Sequence, residues 1–291
     1  MATDALAGGS NRPRFTLATG LLLLVLTLGA FVAALPLLYM ASTSLKTLAE
    51  TITRSSAIPF DPDFWPERPQ WSNYVEAWQE ARFSLYFRNS VLIGLLTTLG
   101  VVLTSALAAY AFAKLRFPGK GLIFSALLAT LIVPETVLLI PNFILVSRLG
   151  WVDRLAALTV PFIGSAFSIF LLRQFFTQVP NELLESAGLD GATHLRVLFS
   201  VVLPLTRAPI FSVGFLAFIG SWNALQWPLV VTQTATWRPL TVGLTTFISE
   251  AGPQTQLRMA GTMIAVLPVV ALYFIAQRQF TEAISRSGLK G

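Results

Sequence analysis

Six stretches of the chain run apolar for long enough, or nearly so, to cross a bilayer: residues 15–41, 90–113, 121–147, 155–172, 208–231 and 259–277. A spanning helix needs roughly 20 mainly apolar residues to cover about 30 Å of hydrocarbon. Backbone N–H and C=O groups in lipid have no water to bond, so each stretch is expected to be a helix that satisfies itself. The short alternating segments of an outer-membrane barrel are missing. The pattern predicts an all-α membrane protein with six transmembrane helices. A terminal segment, 1–14, precedes a single membrane domain, 15–291, whose two long loops are 42–89 and 173–207.

Composition sharpens this picture. The 291 residues are 54% hydrophobic and only 12% charged, against about 25% charged in an ordinary globular protein. That excludes a disordered chain, which needs high charge and low hydrophobicity. Of the 20 Lys and Arg and 14 Asp and Glu, one charge falls inside the six stretches, Glu135. A folded soluble core does not segregate charge in that way. The first stretch follows Arg12 and Arg14 like a signal peptide, but it is longer than the usual core of about 7–15 residues, and it is expected to be retained. No cysteine is present, which removes disulfides, thiolate zinc sites and cysteine nucleophiles.

The net charge of +6 points to cytoplasmic membrane loops rather than to nucleic acid. Six spans place both termini on one side. The densest basic patch, Lys114, Arg116 and Lys120, falls on that side, so it is expected to be the cytoplasm. Catalytic chemistry is not expected. The one histidine is His194, and Gly119-Lys120-Gly121 lacks the rest of a phosphate-binding loop. No cofactor or metal is expected in this chain.

Several residues carry two readings each. Glu135 is either a working intramembrane charge or a residue facing an outer vestibule where Pro134 ends the helix. Trp222, Asn223, Gln226 and Trp227 put amides and indoles in the fifth stretch. They suit sugar hydroxyls and sugar faces, and equally suit bonds between helices. Loop 42–89, rich in proline and aromatics, reads as an interfacial belt or as a partner surface. Ser105, Ala109 and Ala113 form a small-residue ladder for close helix approach. Prolines 36, 134, 141, 161, 228 and 268 predict broken spans, which transport proteins use often.

Loop 173–207 is organised. Pro180 and Asn181 signal a helix start. A helical stretch 182–189 is broken by Gly188 and Gly191, and a second, 192–202, runs into Pro204. The pattern predicts a helical hairpin outside the membrane. Within it, Glu185-Ser186-Ala187, then Gly191, then Val201, Leu203 and Pro204 resemble the EAA motif of ATP-binding-cassette importer permeases. That motif reads E-A-A-x3-G-x9-I-x-L-P, and Ser186 and Val201 are the two departures. Further stretches match the carbohydrate-uptake branch, similar to the second maltose-type permease subunit. They are Ser44-Leu45-Lys46, Asn73-Tyr74, Asn89-Ser90, Ala109-Tyr110-Ala111-Phe112, Phe170-Leu171-Leu172-Arg173-Gln174, Trp222-Asn223, Gln277-Arg278 and Lys290-Gly291.

The resemblance implies the type I importer fold in a prokaryotic inner membrane, with both termini cytoplasmic. It implies four partners besides lipid: a homologous second permease, two copies of a cytoplasmic ATPase that bind ATP and Mg, and an extracytoplasmic solute-binding protein. Glu185, Ser186, Ala187, Gly191, Val201, Leu203 and Pro204 would form the coupling hairpin, with Glu185 pairing a basic ATPase residue. The tail 285–291 would reach between the ATPases, and loop 232–258 would contact the binding protein. Glu135, Trp222, Asn223 and Gln226 are the expected substrate path for a sugar or sugar derivative. The alternative is a stand-alone ion-coupled carrier using Glu135.

Overall fold

The computed structural model describes residues 17–54, 56–80, 82–250 and 254–287, and every regular element among them is helical. The 1–14 segment and the last four residues of the tail lie outside the described residues. The chain opens with α1 (Leu17–Ser44), and the first long loop holds α2 (Leu48–Thr53) and α3 (Ser72–Glu80) before α4 (Phe83–Lys114). Two bent pairs follow. α5 (Lys120–Ala129) and α6 (Leu139–Arg148) belong to arms that meet at 93°, and α7 (Leu155–Thr159) and α8 (Ala166–Thr177) to arms that meet at 43°. The second long loop carries α9 (Asn181–Leu189), α10 (His194–Val197), a π-helical turn Leu198–Val202, and α11 (Leu203–Leu205). α12 (Arg207–Trp222) leaves this arm at 88°, and α13 (Gln226–Val231), α14 (Leu240–Glu250) and α15 (Thr255–Ser287) follow.

α1, α4 and residues 255–275 of α15 are each long and apolar enough to span a bilayer, and the bent pairs bring the number to six if each is one span. The third stretch is not one straight helix. Pro134 has no N–H to continue the ladder and holds Val133 extended (φ −77°, ψ 118°). The fifth stretch also differs from a single span. α12 stops at Trp222, capped by the Asn223 N–H on the Ile219 carbonyl (3.0 Å), and α13 restarts at Gln226.

α4 is the central post. It packs on α8 and α12 through small residues: Ser105 and Ala109 are fully buried. A side chain at Gly100 would overlap Ile163, and one at Gly94 would press on Phe218. α1 leans on α15 and on the turn at 62–64, and the apolar surface of the rest of α1 is open.

The two ends of the bundle differ. At the loop end, residues 231–240 are pinned from two sides. Asp153, at φ +58°, bonds the Val231 carbonyl through its N–H (2.8 Å), and its carboxylate accepts from the Gln233 and Thr234 N–H groups and the Thr234 hydroxyl. The buried Asn89 amide donates to the Thr236 and Arg238 carbonyls (2.9 and 3.0 Å), and the Ser90 hydroxyl accepts from the Leu240 N–H (2.7 Å). At the other end lies the helical hairpin.

Candidate functional site: the helical hairpin

The EAA spacing has a local cause. α9 begins after Pro180, with Glu182 in the first turn, where a carboxylate favours the positive end of the helix dipole. Its far end is a Schellman cap. The Ala192 N–H bonds the Ala187 carbonyl (3.0 Å) and the Gly191 N–H bonds the Gly188 carbonyl (3.0 Å). This geometry needs a left-handed residue at 191, and Gly191 sits at φ +79°. The glycine four places after Ala187 is therefore the residue that closes the helix. The small pair Ala187 and Ala192 flanks the cap, and both pack onto the core.

The second arm starts at Thr193, whose hydroxyl accepts from the Arg196 N–H (3.4 Å). It continues past Val202 through Pro204 rather than ending there. Pro204 cannot donate to the Ser200 carbonyl, and the turn just before it, 198–202, is widened to π geometry. Thr206 ends the arm, its hydroxyl on the Val202 carbonyl (2.6 Å), and the chain turns into α12.

The hairpin divides into two faces. Val197, Leu198 and Val202 are buried, and Leu184, Ala187, Val201 and Leu203 join them in one cluster with Val101, Ala109, Leu172 and Val213 of the post and its neighbours. Glu182, Glu185, Ser186, Asp190 and Pro204 are exposed. Leu189 at the turn is 91% exposed and Leu195 also stands clear. The turn thus carries an exposed apolar residue between Glu185 and Asp190, which are themselves exposed. Ala187 and Val201 thus face their own bundle, while Glu185 faces outward.

Two cations make the node rigid. Lys114, the last residue of α4, donates to the Val179 carbonyl (2.5 Å), the Asn181 side chain (2.9 Å) and the Thr177 carbonyl (3.5 Å). Its three N–H bonds thereby tie the end of α8 to the start of α9. Arg173 donates to the Phe112 carbonyl (3.2 Å) and lies over the Phe124 ring, 4.2 Å from its centroid. The buried Tyr110 hydroxyl meets His194 Nδ1 at 3.3 Å, so the one histidine packs the second arm against α4. The sequence reading missed the roles of Lys114 and Arg173. Lys114 was visible only as a basic residue at a span end, and its main acceptors are backbone carbonyls, which leave no mark in a sequence.

The expected path residues are not brought into one cluster. Glu135 is exposed at the first position of the short 3₁₀ turn beyond Pro134, at the 93° break. Asn223 and Gln226 are exposed at the break between α12 and α13. Trp222 departs from the expectation. It is buried between Phe87 and Phe218, and its indole N–H donates to the Ala265 carbonyl (3.3 Å). Its ring is occupied by packing, so it lines no path. Trp227 likewise bonds the Ala157 carbonyl (2.9 Å).

Comparison with known proteins places this geometry. The family model described as "Binding-protein-dependent transport system inner membrane component" matches residues 100–286. The chain is 33% identical over 222 residues to the sn-glycerol-3-phosphate transport system permease protein UgpE of Yersinia enterocolitica, covering 74% of this chain and 79% of that one. It is 30% identical over 272 residues to the arabinooligosaccharides transport system permease protein AraQ of Halalkalibacterium halodurans, covering 92% and 96%. The fold is similar to a chain of a bacterial ABC transporter involved in the import of the acidic polysaccharide alginate, with a TM-score of 0.80 at 22% identity over 92% of this chain and 99% of that one. An all-helical bundle of apolar spans, matched by this family model over well over half its length, belongs to the inner-membrane permease components of binding-protein-dependent importers.

Proposed function

We propose that this chain is one of two homologous permease subunits of an ATP-driven importer for a sugar or sugar derivative, and that its hairpin is the coupling element. The observation that carries this reading is the outward Glu185 and exposed Leu189 on a hairpin locked to α4 and α8. A docking element must be stiff if closure of a partner is to turn helices rather than bend a loop. The hairpin end lies in the cytoplasm and seats in a cleft on one of two ATPase copies, which bind ATP and Mg. Glu185 pairs there with a basic residue, and a desolvated carboxylate left alone would be costly. The loop end faces outward, where the pinned 231–240 loop meets the solute-binding protein. Glu135, Asn223 and Gln226 line the route between the two permeases. The named relatives carry sn-glycerol-3-phosphate and arabinooligosaccharides, which supports the sugar-derivative class.

Glu185→Ala and Gly191→Val test the coupling role in the assembled transporter. Both are expected to cut uptake sharply while membrane insertion is retained. Placing a β-branched residue at positive φ costs roughly 1–2 kcal/mol locally. Full uptake in both variants would remove the coupling assignment.

A further inference from the structure

Asp153 lies in the short link 149–154 between α6 and α7. Its backbone is left-handed (φ +58°), a conformation that few residues besides Gly, Asn and Asp adopt without strain. There it reaches the segment after α13, 80 positions away in sequence. Its N–H donates to the Val231 carbonyl (2.8 Å). Its carboxylate accepts three bonds: from the Gln233 and Thr234 N–H groups, both at 3.2 Å, and from the Thr234 hydroxyl at 2.6 Å.

The bonds run on into the loop. The Thr234 hydroxyl accepts from the Thr236 N–H (3.3 Å) and lies 3.0 Å from the Thr236 hydroxyl. The Arg238 guanidinium closes the turn on the Gln233 carbonyl (3.2 Å). A chain of donors from Thr236 through Thr234 therefore ends on a full negative charge, which strengthens each link. Beneath the turn, Val231, Trp237, Trp151 and Val152 share an apolar cluster. Above it, Gln233, Thr234 and Thr236 are exposed. The apolar base sets where the loop emerges, and Asn89 holds its far side at the Thr236 and Arg238 carbonyls. The Asp153 carboxylate sets the course of 233 and 234. A turn whose N–H groups are drawn inward onto an anion presents its side chains outward in one arrangement.

We propose that Asp153 is a positioning residue for docking: it pre-shapes the 233–236 turn, so that the solute-binding protein meets a surface already in its bound form. This rests on the importer reading, and on 231–240 being the loop that meets that protein. A preformed loop loses less conformational freedom on binding, so its benefit falls on affinity and not on the steps after docking. Asp153 acts through the loop and not by touching the docked protein.

Asp153→Gly is the informative variant, because glycine keeps the left-handed turn and removes every carboxylate acceptor. Asp153→Asn also keeps the turn, and its amide oxygen still accepts from the two N–H groups. The complete transporter in nanodiscs is titrated with its own solute-binding protein, used as purified, and ATP hydrolysis is read. In Asp153→Gly the half-saturating concentration of binding protein is expected to rise about tenfold, from the loss of charge-assisted bonds that order the loop, with the maximal rate retained. Asp153→Asn is expected to fall between this variant and the wild type. Without binding protein, amide exchange at 233–236 is expected to speed up in Asp153→Gly and to stay unchanged in the hairpin 181–206. If Asp153→Gly lowers assembly, Asp153→Asn decides by the same two readouts.

A lower maximal rate at unchanged half-saturation overturns the proposal, because that is a defect of the fold. Unchanged half-saturation in both variants, or unchanged exchange at 233–236, overturns it as well. These failures leave the importer reading standing. A wild-type transporter with no saturable response to its binding protein removes that reading, and the docking role of Asp153 falls with it.

Discussion

Lys114 shows how much one side chain can organise. It sits where α4, α8 and α9 meet and gives its ammonium protons to acceptors at the end of α8, in the linker after it and at the start of α9. Charge-assisted bonds of this kind contribute roughly 1.5–3 kcal/mol together with their desolvation terms. Lys114→Met keeps the aliphatic stem and removes the donors. It is expected to speed amide exchange across residues 181–192 while leaving the overall unfolding temperature nearly unchanged, because the opening is local. Unchanged exchange there would mean that apolar packing alone holds the hairpin. At this scale the sequence was legible where a residue's own chemistry dictates its place. Gly191 needs a left-handed turn, and Pro134 breaks a helix. It was illegible where the partner is a backbone carbonyl or where burial depends on a distant helix. Trp222 beside Asn223 looked like a sugar platform because nothing local reveals that Phe87 and the Ala265 carbonyl enclose it.

Among the elements, the breaks matter as much as the helices. Apolar runs predicted where spans lie, and prolines predicted interruption, but neither gives the 93° and 88° bends. Those angles come from which surfaces the arms find to pack on. The second hairpin arm lies across the bundle because Val197, Leu198 and Val202 have the apolar faces of α4, α8 and α12 beneath them. Close contact at the loop end is set by glycine in the same way. Gly243 of α14 lies against the Tyr86 ring of α4, and a methyl group there would overlap the ring. Overpacking of this sort costs about 1–3 kcal/mol. Gly243→Ala is therefore expected to lower the thermal unfolding temperature in detergent, whereas Gly188→Ala, with open space around it, is expected to leave that temperature unchanged or slightly raise it. Equal effects would mean that α14 yields without strain.

As a whole molecule the chain is a bundle with the pinned 231–240 loop at one end, the helical hairpin at the other and an uncovered flank. Charge placement made the membrane class readable from sequence, since Glu135 stands alone inside the apolar stretches. The energy source is testable at this scale. Vesicles holding this chain alone are expected to show no uptake whether or not a proton gradient is present. Vesicles holding the complete transporter are expected to depend on ATP and to be insensitive to collapsing the gradient. Gradient-driven uptake by the chain alone would restore the carrier reading built on Glu135.

The flank itself carries a consequence for the cell. Glu135, Asn223 and Gln226 are exposed at the breaks between arms that are otherwise apolar. A carboxylate or amide turned toward hydrocarbon is penalised by up to several kcal/mol. A solitary subunit bears that penalty until another surface hides those groups. On this reading, the side chains that greet the solute also act as a test of completeness. They make an orphan copy uncomfortable in the bilayer, and they favour stoichiometric pairing without any dedicated checkpoint.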